Sequence, residues 1–208
     1  MISTSVKNLT STNKQIIRFL ITKKQKTMKT FRNVLAAVVL TMGVTTYASA
    51  QSTAEVKLDV PYVPTRPAVV NAMLKLANVS SKDVVYDLGC GDGRIVITAA
   101  KQYGATGKGI DINPERIAEA KANAQKENVT NKVKFEVANL FKTDFSPASV
   151  VTLYLLPAIN LKLRPQLLQQ LKPGTRIVSH AFDMGDWKPE KTMEVDGATI
   201  YLWTVPKK

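Results

Sequence analysis

The sequence predicts an α/β fold in which a mostly parallel sheet of seven strands ends in a C-terminal antiparallel hairpin and carries helices on both faces. Short apolar runs alternate with amphipathic segments between residues 83 and 181. A loop with glycines at alternate positions, residues 89–93, follows the first apolar run. Near the end of the chain, Asp196-Gly197 separates two β-rich runs, which is a strong hairpin signal. Because alternating strands and helices form parallel sheets through right-handed crossovers, helices should cover both faces.

Prolines mark the start of the folded region. We predict a flexible lead-in at 51–60 and the folded domain at 61–208. Three prolines, at residues 61, 64 and 67, restrict the backbone and delay any helix until after Arg66. Apolar residues then recur at helical spacing from 68 to 77, which predicts the first helix.

The elements of the sheet follow in order. Apolar runs predict parallel strands at 83–87, 106–111, 133–138, 149–155 and 175–181, and a hairpin that joins 191–195 to 199–205. Helical spacing predicts crossover helices at 93–103, 113–127 and 161–171. The second of these begins with Asn113-Pro114-Glu115, which supplies a capping residue, a proline in the first turn and an acid near the positive helix end.

A cofactor site is predicted where the first two strands end. Gly89 and Gly91 lack a Cβ, so the backbone there can turn tightly and approach a ligand closely. Asp87 precedes this loop, and Asp111 ends the second strand, where its carboxylate can accept hydrogen bonds from both hydroxyls of a ribose. Ligands of open α/β sheets bind beyond the carboxyl ends of the strands, at the point where the strand order reverses. The residues therefore predict a nucleoside-type cofactor.

The spacing of the glycines favours S-adenosylmethionine over a dinucleotide. A dinucleotide motif, Gly-x-Gly-x-x-Gly, would need glycine at position 94, where the chain has Arg94. The pattern Asp-x-Gly-x-Gly-x-Gly fits residues 87–93 in full. Asp92 would repel a pyrophosphate, whereas S-adenosylmethionine carries no phosphate and its positive charges tolerate a nearby acid. An NAD-type oxidoreductase, and a glycine loop that merely makes a tight turn, remain the alternatives.

From Tyr62 to Pro206 the chain resembles small bacterial class I methyltransferases related to the mitochondrial protein-lysine methyltransferases of the ATP synthase c subunit and the adenine nucleotide translocase. The matching segments are 61–65, 87–96, 109–114 and 139–141. The resemblance implies a Rossmann-like class I methyltransferase fold, S-adenosylmethionine as cofactor and a protein lysine as methyl acceptor. In that family an aspartate is commoner than Asn139, whose side chain is expected to face the adenine.

Thirteen residues are predicted to form the site. Tyr62 and Thr65 are expected to act as a lid. The predicted cofactor-binding residues are Tyr62, Thr65, Asp87, Gly89, Cys90, Gly91, Asp111, Ile112, Asn139 and Leu140. Tyr154 and Pro157, after the fourth strand, and His180, which ends the fifth, are predicted to serve catalysis on the acceptor side; packing is the alternative role of such residues.

Other chemistries are disfavoured by the sequence. No Cys/His cluster has metal-ligand spacing, so no metal is expected, and no Ser-His-Asp order suggests hydrolysis. Cys90 is the sole cysteine, which excludes an internal disulfide. A lysine acceptor must arrive neutral, and an apolar pocket that lowers its pKa would help. A small-molecule methyltransferase and a non-catalytic S-adenosylmethionine binder remain alternatives.

The positive charge is concentrated in the leader. The chain has 29 basic and 16 acidic residues, a formal net charge of +13. Eight of the basic residues and none of the acidic residues lie in 1–50, which leaves 21 basic and 16 acidic residues in the remainder. Because a balance this mild is that of an ordinary protein surface, we expect no nucleic-acid partner.

Residues 28–50 have the order of a secretory signal peptide. A basic segment precedes a largely apolar run at 34–44, and Ala48 and Ala50 form a small-x-small cleavage pattern. We expect cleavage near Ala50, export to the periplasm or outside the cell, and an over-extended start at 1–27. The alternative is a membrane anchor at 34–48, but about 15 apolar residues fall short of the roughly 20 that a span requires. No stable span is therefore expected in the mature chain.

Overall fold

The computed structural model describes residues 18–25, 28 and 62–207. The chain divides into two compact units, Met1–Ala54 and Glu55–Lys208. In the first unit, residues 18–25 are helical and exposed. The predicted lead-in and most of the predicted signal peptide lie outside the described residues. Within those residues, no helix combines the length and the apolar character needed to cross a membrane.

The second unit contains the predicted α/β elements. Within residues 62–207 the helices are α1 (Pro67–Leu76), α2 (Arg94–Tyr103), α3 (Pro114–Lys126) and α4 (Pro157–Gln170), with a short 3-10 helix at Leu140–Lys142. The strands are β1 (Val84–Leu88), β2 (Thr106–Asp111), β3 (Val133–Val137), β4 (Val150–Leu153), β5 (Arg176–His180), β6 (Lys191–Val195) and β7 (Ala198–Thr204).

The strands form one seven-stranded sheet with the order β3-β2-β1-β4-β5-β7-β6. Strands β1 to β5 pair in parallel, and β7 runs antiparallel to both β5 and β6. This confirms the predicted sheet with its C-terminal hairpin. The strand order reverses between β1 and β4, so the carboxyl ends of these two strands flank the crevice in which open α/β sheets bind ligands.

Helices pack on both faces of the sheet because the central strands are apolar on both sides. On one face, Val69 and Met73 of α1 pack with Val85 and Val150 of the strands. On the other face, the core contains leucines of α4 together with Leu153 and Trp203. Strand β4 is buried throughout, as expected for a parallel strand covered on both faces.

Helix α4 begins earlier than the sequence predicted. The leucine spacing predicted a helix at 161–171, but the first helical residue is Pro157. A proline is favoured in the first helical turn because its φ is already helical and it has no N–H to leave unpaired. By contrast, α3 begins as predicted, with the Asn113 side chain accepting a hydrogen bond of 2.8 Å from Glu115 N.

Candidate active site

A cavity of about 250 Å³ lies at the carboxyl ends of the parallel strands. All ten of the predicted cofactor-binding residues line it. Of the three predicted acceptor-side residues, Tyr154 lines the cavity, whereas Pro157 and His180 do not. The structure therefore brings together nearly all of the residues that the sequence singled out, although they come from five separate segments of the chain.

The glycine loop requires residues without a side chain. Gly89 and Gly91 have φ angles of +83° and +52°, in the left-handed region. A Cβ on Gly91 would lie 2.3 Å from the Tyr62 ring carbon Cε2, so the tyrosine ring lies directly on the loop. The amides of Gly89 and Cys90 both donate to the carbonyl oxygen of Ile110, at 2.8 and 2.9 Å. These bonds attach the loop to the end of β2.

Asp111 is held rigidly in the cavity wall. Its Oδ2 accepts a hydrogen bond of 2.9 Å from Gly91 N, and its Oδ1 accepts one of 2.9 Å from Asn113 N. An ionised carboxylate has about four lone-pair sites, so each oxygen keeps a site for a further donor. The donor pair that a ribose offers, its two hydroxyls, fits this carboxylate.

Asp92 occupies the amino-terminal end of α2. Its Oδ1 accepts hydrogen bonds from Arg94 N and Nε, at 3.2 and 2.9 Å. Burial raises the pKa of Asp92, but the hydrogen bonds and the charge of Arg94 outweigh burial and hold the pKa below its usual value. An ionised carboxylate thus lies where a dinucleotide would place its pyrophosphate, against the first helical amides. This arrangement does not suit a phosphate-bearing cofactor.

Asp87 adds a third carboxyl group beside the cavity. It is only 2% exposed and accepts a hydrogen bond of 2.7 Å from Thr152 Oγ1. Burial raises the pKa of Asp87 to about 7, against the opposing hydrogen bond from Thr152, and the charges of Asp111 and Asp92 raise it further. A positively charged ligand would favour the ionised form. The amino and sulfonium groups of S-adenosylmethionine carry such charges.

The surroundings of Cys90 and Asn139 limit what their side chains can do in the cavity. Burial raises the pKa of the Cys90 thiol well above its usual range, so the side chain serves as neutral lining and not as a nucleophile. Asn139 Oδ1 accepts a hydrogen bond of 2.9 Å from Phe141 N at the start of the 3-10 helix. The amide nitrogen is therefore the part of Asn139 that suits the acceptor nitrogens of an adenine, whereas an aspartate would suit its amino group.

The segment 62–66 crosses from the glycine loop to the other half of the sheet. Arg94 Nη1 donates to Thr65 O at 2.9 Å, which ties this segment to the loop. The Thr65 hydroxyl lies 3.1 Å from His180 Nδ1, at the end of β5. The predicted pair Tyr62 and Thr65 thus contacts both the loop and β5, and their role as a lid stays a prediction.

The acceptor side differs from the prediction at two positions. Pro157 is exposed and outside the cavity, because β4 ends at Leu153 and the proline already belongs to the first turn of α4. His180 is buried behind Tyr154, and the centroids of the two rings are 3.8 Å apart. Burial and the charge of Arg66 lower the pKa of His180, so the ring is neutral at neutral pH. His180 can act on a ligand only through its neighbours.

Several lining residues were missed by the sequence reasoning. They include Val63, Pro64, Arg94, Ile95, Phe141, Ile159 and Phe182. Arg94 directly follows the glycines, so its position was a usable signal. The others are apolar side chains in loops or at a helix start, and no periodic pattern distinguishes an apolar residue that lines a cavity from one in the core.

The chain is similar to known methyltransferases. A profile of the family described as the ANTKMT methyltransferase domain matches residues 87–191. A protein-lysine N-methyltransferase of Saccharolobus islandicus (strain REY15A) is 48% identical over 151 residues, which are 70% of this chain and 94% of that protein. The lysine N-methyltransferase of the ATP synthase c subunit in Xenopus laevis is 34% identical over 71% of this chain, but the match spans only 64% of the length of that relative.

A solved structure with the same fold contains the product of the cofactor. An RNA methyltransferase from Salinibacter ruber, in complex with S-adenosyl-L-homocysteine, is 53% identical and superposes with a TM-score of 0.69 over 70% of this chain and 95% of that one. The donor set of the cavity fits the same cofactor, since Asp111 suits the ribose and Asp87 a positive charge. The chain therefore belongs to the ANTKMT methyltransferase domain family and is a class I S-adenosylmethionine-dependent methyltransferase.

Proposed function

We propose that this enzyme methylates the side-chain amine of a lysine in another protein. The observation that carries the proposal is the division of the cavity into two chemically different sides. The carboxylates that line it, Asp87, Asp92 and Asp111, belong to β1, β2 and the glycine loop. The side formed after β4 and β5 is apolar and aromatic, with Tyr154, Leu156 and Phe182 among its residues. An apolar surrounding lowers the pKa of an amine and so supplies the neutral nucleophile.

The residues of the chain position the two reactants. When bound, S-adenosylmethionine supplies a sulfonium methyl group, whose carbon forms a bond to the lysine nitrogen while its bond to sulfur breaks and leaves a neutral thioether. Asp111 would hold the ribose through its two fixed oxygens. The apolar side would enclose the aliphatic stem of the lysine and exclude water. The lysine ammonium would give up its proton to solvent as it enters, and the positive charge of the sulfonium would pass to the methylated amine, which leaves as an ammonium. Most of the rate enhancement then comes from orientation.

Similar proteins support two acceptor classes. The Saccharolobus relative is named as a protein-lysine methyltransferase, and the Salinibacter structure is described as an RNA methyltransferase. The charge favours the protein acceptor, because residues 51–208 contain 21 basic and 16 acidic residues and lack the strong positive excess of a nucleic-acid-binding surface. A small-molecule acceptor is less suited to a cavity at the open end of a sheet.

Labelling of a host extract tests the acceptor. The full chain is incubated with methyl-labelled S-adenosylmethionine and extract from host cells that lack this protein. We expect label in a discrete protein band that survives ribonuclease, and mass spectrometry should locate the methyl group on lysine. The Asp111→Ala variant is the matched control and should label this band much more weakly at a cofactor concentration near the wild-type Kd. Label that disappears with ribonuclease, or label found only in the small-molecule fraction, would refute the proposal.

We also propose that the enzyme is exported, on the basis of residues 28–50. Amino-terminal sequencing of the protein from its native host should begin at Gln51 or within one or two residues of it. Replacing Ala48 with arginine removes one of the small residues of the cleavage pattern and should leave an uncleaved precursor. A native protein that begins at Met1 and remains in the cytosol would contradict export.

A further inference from the structure

Strand β5 ends in a strained turn beside the cavity. Ala181 has a φ angle of +65°, although it is not glycine. Phe182 N donates a hydrogen bond of 2.9 Å to His180 O, which closes a three-residue turn around Ala181. Turns of this kind with a positive central φ are rare and strained, and strained backbone persists only where the surrounding structure over-determines it.

Two neighbours hold the turn in place. Ala181 N donates to Thr199 O of β7 at 2.8 Å. Asn160 of α4 is completely buried, and its Nδ2 lies 3.2 Å from Phe182 O and 3.3 Å from Asp183 O. The turn is therefore anchored to both the sheet and a helix. A buried amide that binds consecutive backbone carbonyls fixes the path of the chain directly after Ala181.

The turn directs Phe182 to the acceptor side of the cavity. Phe182 is half-buried and lines the cavity, whereas His180, on the other side of Ala181, does not. The Phe182 and Tyr154 rings are stacked, with 6.4 Å between their centroids and an interplanar angle of 22°. Tyr154 in turn stacks on His180. The turn at Ala181 thus places the Phe182 ring in the cavity wall and leaves the His180 ring behind it.

We propose that Phe182 determines acceptor specificity by packing against the aliphatic stem of the acceptor side chain, and that Ala181 and Asn160 are positioning residues for Phe182. That the acceptor side chain is a lysine rests on the proposed function. The location of the acceptor at Phe182 does not, because it follows from the position of the ring opposite the carboxylates that suit the cofactor.

Two variants test the proposal through different properties. Phe182→Ala should raise the KM for the acceptor roughly tenfold or more, as truncation of an aromatic contact residue commonly does, and leave the Kd for S-adenosylmethionine within about twofold. Ala181→Gly removes the strain and frees the turn. It should keep or raise the thermal unfolding temperature and yet raise the acceptor KM by roughly threefold, since Phe182 is then held less firmly.

Asn128→Gly is the matched control for the turn. Asn128 has a φ of +57° and is exposed at the end of α3, away from the cavity, so glycine there frees another left-handed position and should not change acceptor kinetics. If Ala181→Gly and Asn128→Gly both leave the acceptor KM unchanged, the turn is merely structural and the proposal is wrong. It is equally wrong if Phe182→Ala weakens cofactor binding as much as acceptor binding.

The same measurements can be made on whichever acceptor the wild-type protein methylates in extract. An RNA or small-molecule acceptor would refute the lysine assignment. The role of Phe182 would still be decided by whether its variant changes the acceptor KM more than the cofactor Kd.

Discussion

Replacing Asp111 with alanine is expected to weaken S-adenosylmethionine binding by roughly 10- to 100-fold, because a hydrogen bond to a charged group contributes about 1.5–3 kcal/mol. Both carboxylate oxygens are held by backbone amides, from Gly91 and Asn113, so the wild-type side chain would bind a ribose without further ordering. Isothermal titration of the full chain with S-adenosylmethionine measures the change.

The control for this substitution is Asp144→Ala. Asp144 is an exposed aspartate that accepts a similar backbone hydrogen bond, from Ser146 N, and it does not line the cavity. Its removal should leave cofactor affinity unchanged. Equal affinities for wild type and Asp111→Ala would show that Asp111 does not contact the cofactor.

Replacing Asp87 with asparagine is expected to stabilise the cofactor-free protein above neutral pH and to abolish tight cofactor binding. Burial raises the Asp87 pKa from 3.8 to about 7, so between these values the folded protein keeps a proton that the unfolded chain releases. The contribution of Asp87 to the free energy of unfolding therefore falls as pH rises from 3.8 to about 7. Above pH 7 the protein bears the full cost of burying the ionised carboxylate. One unit of pKa corresponds to about 1.4 kcal/mol, and each kcal/mol to about 2–4 °C in a domain of this size. For a rise from 3.8 to about 7, we therefore expect the unfolding temperature at pH 8 to shift upward by roughly 10 °C.

The asparagine keeps the local hydrogen bond, because its side-chain oxygen can accept from Thr152 Oγ1 as the carboxylate does. Wild-type affinity for the cationic cofactor should be higher at pH 8 than at pH 6, since the ionised carboxylate attracts it, and Asp87→Asn should lose this dependence. Thermal unfolding from pH 5 to 8 and titration at both pH values measure these effects. A variant whose unfolding temperature follows the wild-type pH dependence would contradict the role of Asp87.

The parts of the site that could be predicted are those set by local sequence. Gly89 and Gly91 identify the loop because only residues without a Cβ tolerate its backbone and the contact with Tyr62. Asp111 could be placed because it ends a strand, and parallel strands bring their carboxyl ends to one edge. The order of strands and helices followed from alternating apolar and amphipathic segments, which reflect burial on both faces of the sheet.

The acceptor side could not be predicted to the same degree. His180 ends a strand as expected, but whether its ring meets a ligand depends on Thr65 and Tyr154, which are distant in the sequence. Phe182 was missed because its position depends on the unusual φ of Ala181, an alanine in no recognisable turn motif. Pro157 was assigned to the cavity because the sequence did not reveal how soon α4 begins.

The sequence by itself determined the fold class, the cofactor loop and the position of the carboxylate at the end of β2, because each depends on residues close together in the chain and on regular strand geometry. Only the tertiary structure decided which rings form the acceptor side and how the segment 62–66 is fastened by Arg94. It also decided that Asp87 is buried deeply enough for its pKa to approach neutrality. These properties arise from contacts and desolvation between segments far apart in sequence, which no local pattern records.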